Sequence, residues 1–397
     1  MPVTYKVSIA KSSDAARALR EAIDLLGGMK AFVKSGQEVL LKPNCLISKY
    51  VPGTTTSAQV IAGLAQMVLQ AGGRPVIGEF GLNCDSSAKD FETSCARHYR
   101  DELTALGIQD QVRMVDFAKD QADAVTIPGA KVLAETKVVS TALKADVIID
   151  VPVMKTHDQT QVTLGIKNLK GCIPQGEKRR SHGLGVEQAI VDLCGFLRPR
   201  LVVIDGMTAA EGMGPAGGTP FAMNTIVASG NPLAADMVGA KIMGFELEDI
   251  HFIQNAIASG LGPTKFEQIE IVGEPLAEVR RPFVTAQSVV LKQYQEMGIR
   301  VISRNVCSGC WAEFRHIYYS LRDQRAKLAG ITFVLGQVED LPPDIEPGKL
   351  VILGRCAKRL KARGAYVPGC PPHHSDIEKA LCPLADIDPA KIDSYMK

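Results

Sequence analysis

Residues 146–174 read DVIIDVPVMKTHDQTQVTLGIKNLKGCIP. The segment opens on Asp146 to Val153, almost wholly apolar, as a buried strand requires. Lys155 and His157 follow at once, then Lys167, Asn168 and Lys170 in a glycine-containing run. A strand covered by helices on both faces reads as a continuous apolar run. In an open α/β sheet, ligands bind beyond the carboxyl ends of the strands. The segment therefore predicts a sheet of that class with a basic site at one strand end.

The same alternation extends outward. Val39 to Leu41 reads as a strand that ends in Lys42, Pro43 and Asn44. Ser57 to Ala71 has the spacing of an amphipathic helix, with Thr54, Thr55 or Thr56 as N-cap and Gly72-Gly73 as its stop. Pro75 to Ile77 is the next strand, and Cys84 to His98 reads as a loop and helix. Val186 to Leu197 and Pro232 to Met243 read as helices, Leu201 to Ile204 and Thr225 to Ala228 as strands. This β-α-β order predicts an α/β fold, a mostly parallel sheet with helices on both faces.

A charged, irregular stretch from Glu278 to Gln287 reads as a linker. Beyond it the pattern restarts with short strands at Arg300 to Ser303, Thr332 to Leu335, Leu350 to Leu353 and Tyr366-Val367, and a helix over Trp311 to Leu328. The expected organisation is an α/β domain over 1–280 and a smaller α/β domain over 288–397. A chain of 397 residues suits two domains.

Lys and Arg number 45 against 43 Asp and Glu, a net charge of +2, which gives no argument for nucleic acid or an anionic membrane. The first residues show no apolar h-region, and no stretch of 18 apolar residues occurs. A cytoplasmic protein is expected, with its ten cysteines as thiols or metal ligands rather than disulfides.

Four cysteines stand out by placement. Cys307 and Cys310 form a C-x-x-C after one short strand, Cys356 follows another through Gly354-Arg355, and Cys370 follows a third through Pro368-Gly369. If those strands are parallel, all four thiols reach one edge of a sheet. Four thiolates there suit a [4Fe–4S] cluster, with zinc as the alternative. Zinc ribbons pair two C-x-x-C knuckles, whereas 13 residues separate Cys356 from Cys370. Cys382 is near enough in sequence to replace one ligand.

In the large domain, Lys155, His157 and Lys167 are candidate catalytic groups, since desolvation can bring a lysine into the range of a proton donor. Asp205 ends a strand and is a candidate base or the partner of a lysine; Glu79 suits either role. Lys42, Asn44, Asn168, Lys170, His182 and Glu211 are candidate substrate contacts, and a carboxylate or phosphate is the ligand such a set fits. DGMTAAEGMGPAGG, from Asp205, reads as a glycine-rich loop able to meet an anion or to act as a lid.

Taken together, LLKPN (40–44), TTTS (54–57), DVIIDVPVMKTH (146–157), GIKNLKGCIP (165–174), VVIDGMTAAEGMGP (202–215) and NPLAADMVGAKIMGF (231–245) resemble the family called domain of unknown function 362. That resemblance implies the α/β fold and an iron–sulfur protein. Relatives often carry a ferredoxin-type run of close cysteines; here the dispersed set implies one cluster. A fainter resemblance, through Lys155, His157 and Lys167, is to nickel-dependent lactate racemase apoproteins, and implies hydroxy-acid chemistry with a pincer cofactor.

Three readings follow. The first is an iron–sulfur enzyme, an oxidoreductase or a lyase or isomerase of anaerobic metabolism, acting on an anionic small molecule at a cleft shared by the two domains. The second is an electron carrier or redox sensor that docks a redox partner protein. The third is a nickel-pincer, racemase-like enzyme.

Overall fold

The computed structural model describes residues 4–46 and 48–392. The chain forms two compact units, Met1–Phe283 and Val284–Lys397.

The first unit opens with β1 (Tyr5–Lys11) and α1 (Ala15–Asp24), neither of which the sequence patterns mark. Asp14 caps α1, its carboxylate accepting from the N–H groups of Ala16 and Arg17. Next come β2 (Glu38–Pro43), α2 (Ala58–Gln70), β3 (Arg74–Glu79), α3 (Cys95–Ala105), β4 (Arg113–Asp116), β5 (Ala122–Thr126), β6 (Glu135–Val139) and α4 (Ser140–Lys144). The opening segment yields β7 (Val147–Val151), β8 (Val153–His157), β9 (Gln161–Thr163) and α5 (Gly165–Asn168). Then follow α6 (Gln175–Leu197), β10 (Leu201–Met213), β11 (Gly217–Ser229), α7 (Pro232–Ile242), α8 (His251–Ala258), β12 (Ile269–Gly273) and α9 (Leu276–Val279).

A ten-stranded sheet runs β12-β1-β11-β10-β7-β2-β3-β4, with β8 on β10 and β9 on β8. The pairs β10/β7, β7/β2, β2/β3 and β3/β4 are parallel, while the β10–β11 hairpin and β1/β11 are antiparallel. Successive strand residues face opposite layers. Val39 and Leu41, Val147 and Ile149, and Leu201 and Val203 pack with α1, α2 and α3. Leu40, Ile148, Val202 and Ile204 pack on the other side with α6, α7 and α8. Both faces are covered, and that is why these strands are apolar throughout.

Three expectations change. Lys155 and His157 lie within a strand, β8, because the chain breaks only briefly at Pro152 before pairing again with β10. The glycine-rich stretch after Asp205 is not a loop or lid but the long β10–β11 hairpin, bulged between Gly206 and Thr208. Its tip packs closely: a Cβ on Gly214 would lie 1.9 Å from the Thr156 carbonyl oxygen. Finally, α6 begins well before Val186 and is interrupted at Gly185, whose φ of 105° only glycine adopts readily.

The second unit contains α10 (Ala286–Glu296), β13 (Arg300–Arg304), α11 (Ser308–Ser320), β14 (Thr332–Gly336), β15 (Leu350–Leu353), β16 (Ala365–Val367) and α12 (His374–Ala385). Its four strands lie in the order β13-β14-β15-β16 and every pair is parallel.

Candidate functional site

In the first unit a cavity of about 620 Å³ is walled by α5, the first turns of α6, and the residues after β2, β3 and β8. This size suits a small-molecule ligand. Lys167, Lys170, Lys178, Arg179, His157 and His182 all line it, with Glu79, Asp158, Asn44, Asn168, Thr163 and Phe80 among them.

Helix geometry gathers the α6 contribution. Gln175, Lys178, Arg179 and His182 are at i, i+3, i+4 and i+7, and so share one face. Lys178 also lies with its ammonium 4.0 Å from the Phe80 ring centre. The α5 contribution is held by a buried cap. Asp236 of α7 accepts from the N–H of Gly165 at 2.7 Å and of Ile166 at 2.9 Å.

The cations raise one another's cost of charging. Lys170 is pushed down to about 7 by burial and then by the Lys167 and Lys178 charges. Lys167 falls to about 8 through burial, with Asp158 opposing and Lys178 assisting. Lys178 is lowered by burial, with Glu79 opposing and Lys42 assisting. Lys170 Nζ lies 2.5 Å from His182 Nε2. His157 is pushed down to about 3 by burial and the Lys167 charge. Its Nδ1 accepts from the N–H groups of Gln159 and Thr160 at 3.0 and 3.3 Å, so the neutral ring carries its proton on Nε2. Asp158 Oδ1 is 3.0 Å from that same Nδ1, and its charge opposes the downward shift of His157.

Beneath the cavity lies a polar layer. Lys42, fully buried, donates to the Glu79 carboxylate and to the Pro43 carbonyl at 2.8 Å. Burial works to lower Lys42, but Glu79, Cys172 and Asp150 outweigh it and hold the ammonium above its ordinary value. Asn168 Nδ2 donates to Asp150 Oδ1 at 2.8 Å, and Asn168 Oδ1 accepts from Asn44 Nδ2 at 2.9 Å. Burial pushes the Asp150 carboxyl well above its ordinary range.

Of the residues singled out in the sequence, Asn44, His157, Lys167, Asn168, Lys170 and His182 come together at the cavity, as does Glu79. Lys42 sits behind Glu79. Lys155 is enclosed and donates to the Thr54 carbonyl at 2.6 Å; burial and then Lys167 push it down to about 7. Asp205 is buried, accepting from the N–H groups of Ser57 and Met207 at 2.6 and 2.9 Å. It thereby fixes the start of α2 to β10. Glu211 pairs with Arg281 at 3.0 Å on the hairpin. Neither carboxylate is among the cavity's lining residues. Asp158, Thr163 and Phe80 were missed, and no spacing in the sequence marks them. Lys178 could have been found from its i, i+4 relation to His182.

In the second unit the thiols follow a regular rule. Cys307, Cys356 and Cys370 each stand three residues beyond the end of β13, β15 and β16, at Arg304, Leu353 and Val367. Parallel pairing puts all three at one sheet edge, and Cys310 is in the first turn of α11. Cys310 hydrogen-bonds Cys307. That bond, burial, and the charges of Cys307, Cys356 and Cys370 push its thiol up. A Cβ on Gly354 would be 3.4 Å from Cys310 Sγ, and one on Gly309 would be 3.2 Å from Pro371. The donor set is all sulfur, as a cluster needs. Among the described residues, no group of three or more His, Cys, Asp or Glu side chains could hold a metal ion as they stand. Cys382 lies on α12 with Glu378 and Asp388 as the charges that bear on it.

The family model for a domain of unknown function, DUF362, matches residues 39–241, which contain every residue that lines the cavity. The chain belongs to the DUF362 family. A thylakoid-associated protein of Synechocystis sp. is 33% identical over 262 residues, covering 63% of this chain and 76% of that one. Among solved structures, the lactate racemase apoprotein of Thermoanaerobacterium thermosaccharolyticum matches with a TM-score of 0.38 at 11% identity, over 61% of this chain and 57% of that one. A Thermotoga maritima protein matches with a TM-score of 0.29 at 12% identity, over 52% and 53%. This chain thus spans little more than half of either solved protein. No helix among the described residues is long and apolar enough to cross a membrane.

Proposed function

We propose that this DUF362 protein is an iron–sulfur enzyme that binds an anionic small molecule in its first unit and carries one [4Fe–4S] cluster in its second. The observation that carries the binding half is the convergence of Lys167, Lys170, Lys178 and Arg179 on one cavity, with the lysines held below their ordinary proton affinity. An anion relieves that mutual repulsion, which gives it a binding free energy that a neutral ligand lacks. Lys170, poised near neutrality beside His182, is the group best placed to give or take a proton.

The cluster half is supported by four thiols on one edge of a parallel sheet. A zinc ion with bonds of about 2.3 Å draws its four sulfurs to about 3.8 Å from one another. A cubane, with iron at alternate corners, spreads them further. The 13 residues between Cys356 and Cys370, where a zinc ribbon has a second C-x-x-C knuckle, favour the cluster. Such a cluster supplies electrons or an open iron. A cytoplasmic setting, which keeps thiols reduced, goes with this reading.

A second reading has a specific observation behind it. Cys356 and Cys370 are exposed, so a cluster there would exchange electrons with a redox partner protein. The test for both is anaerobic purification with metal analysis and a sulfate titration. About four irons per chain and a broad absorption near ~400 nm are expected. Sulfate should bind wild type and bind Lys170→Ala at least about tenfold more weakly, the loss of one buried charge contact. Stoichiometric zinc without iron overturns the cluster. Sulfate bound equally by both proteins overturns the anion site. Reduction of the cluster by a small donor with no turnover of any anion would favour the carrier.

A further inference from the structure

The nine residues from Arg355 to Arg363, RCAKRLKAR, hold five basic side chains and no acidic one. A block of like charges in a free segment is disordered and merely solvated. This block is anchored. Gly354 N–H donates to the Val367 carbonyl at 2.9 Å, and Arg355 N–H to the Gly369 carbonyl at 2.8 Å. Ala357 and Leu360 are buried in one core with Val338 and Ile352. Arg359 Nε donates to the Val338 carbonyl at 3.0 Å.

Arg355–Leu360 is a 3-10 helix. In such a helix, side chains three residues apart eclipse, and each row repeats every 6 Å or so, at about 2 Å of rise per residue. Ala357 and Leu360 form the inward row. Arg355 and Lys358 form a second row, which Lys361 continues, and Cys356 and Arg359 form the third. Arg355, Cys356, Lys358, Arg359, Lys361 and Arg363 are all exposed.

The patch thus surrounds Cys356, and its Arg355 is tied to the loop that carries the exposed Cys370. Because the strands are parallel, the residues after β13 and β14 share this sheet edge. Glu339, after β14, is divided between Arg304 at 3.5 Å and Arg359 at 4.0 Å. Arg359 is the one member of the run with an ion pair among the described residues. Glu339 and Asp340 therefore stand against Arg304 and all five cations of the run.

Resting on the carrier reading above, we infer that this edge of the second unit docks a one-electron carrier protein with an acidic face, received by Lys358, Arg359, Lys361 and Arg363. Each encounter moves one electron from the reduced carrier to the proposed cluster, and no bond is made or broken. The chain's net charge of +2 gives a polynucleotide no general attraction. Exposed thiols at the centre of the patch serve an electron carrier and not a phosphate backbone. Charges of this kind steer the encounter more than they hold the complex, and salt screens them.

Two acidic carriers serve as probes, a plant-type ferredoxin and a flavodoxin, with the basic carrier cytochrome c as counter-probe. Association rates are measured on immobilised probes with the full-length protein, purified anaerobically and assayed for iron. An acidic carrier should bind, at a rate at least about tenfold lower at ~500 mM than at ~20 mM salt. Lys358→Glu with Lys361→Glu should lower the rate at ~20 mM salt at least about tenfold. Lys349→Glu with Lys292→Glu changes the net charge equally, but at the start of β15 and on α10, and should leave the rate within about threefold. Arg355 stays in place beside Cys356, so iron content should match in all three proteins. Binding of neither acidic carrier by iron-loaded protein overturns the docking surface and leaves the cluster standing. Equal losses in the two double variants overturn it as well, since net charge alone then accounts for the attraction. So does cytochrome c bound as fast as the acidic carriers. A single-stranded oligonucleotide held more tightly than either carrier, and released by the first variant, makes the patch a polynucleotide site and overturns the inference too. Protein purified without iron overturns the cluster instead, while the rates still decide the docking surface.

Discussion

Lys170 concentrates the electrostatics of the cavity in one side chain. It is buried, it faces two other lysines, and its proton affinity has come down to about 7 from an ordinary 10.5. The unfolded chain therefore binds more protons than the folded one between those two values. Stability contributed by this site should rise with pH across that window. Anion binding runs the other way, because the anion needs the protonated lysine. Sulfate, which does not titrate here, should bind with constant affinity below pH 7 and more weakly as pH rises through 7 and 8. Binding at pH 8 should take up protons, seen as a buffer-dependent heat in calorimetry. A sulfate affinity that is flat from pH 6 to 9 contradicts this account. A second test is Gly171→Ala. A Cβ there would lie 2.5 Å from both Lys42 Nζ and Glu79 Oε2, beneath the cavity. The turn after Lys170 must lift, and sulfate affinity should fall several-fold while iron content is unchanged.

Elements explain what was legible in the chain and what was not. Strands covered on both faces are apolar throughout, so β2, β3, β7 and the start of β10 could be read directly. The outer parts of the sheet were hidden because β1, with its Lys6 and Ser8, and β4, with Arg113 and Asp116, mix polar residues into short strands. The two ends of the hairpin were read as strands, but the glycine-rich stretch from Asp205 to Gly218 was misread, because its glycines serve close packing rather than a mobile loop. Gly214 is there so that the hairpin tip can meet β8, and Gly214→Ala should destabilise by about 1–3 kcal/mol, the usual range for overpacking. A thermal melt measures this directly. The early part of α6 was hidden by Gly183 and Gly185, although its i, i+3, i+4, i+7 face was in the sequence throughout. The cap on α5 makes a further element-scale prediction. Asp236→Ala leaves the N–H groups of Gly165 and Ile166 buried and unmet, at a cost of about 1–3 kcal/mol each. Because α5 carries Lys167, sulfate binding should weaken along with stability.

At the scale of the molecule, the two proposed sites belong to different units, and their chemistry can be separated by mutation. Every residue that lines the cavity falls before Phe283, and all four thiols fall after Val284. The thiols were the most legible feature of the sequence, because each of three follows its strand by the same interval and parallel strands share an edge. The cavity was less so, since half its wall comes from residues that only the folding of β2, β3, β8 and α6 brings together. Substitutions with no shared partners act additively. Cys356→Ser should therefore lower iron content and bleach the absorption near ~400 nm, while leaving sulfate affinity within about twofold. Lys170→Ala should do the reverse, weakening sulfate and leaving iron and absorption intact. Cys95→Ser, in the first unit and buried at the start of α3, should leave the iron untouched. Only the substitutions' combined effect on turnover joins the two sites. If the cluster serves the reaction of the bound anion, each variant alone abolishes turnover and the pair is no worse than either. If it serves a separate electron transfer, Cys356→Ser abolishes reduction of the partner and Lys170→Ala leaves it at the wild-type rate. The cluster's own absorption follows that electron transfer, so the carrier outcome is read with no substrate in the cuvette.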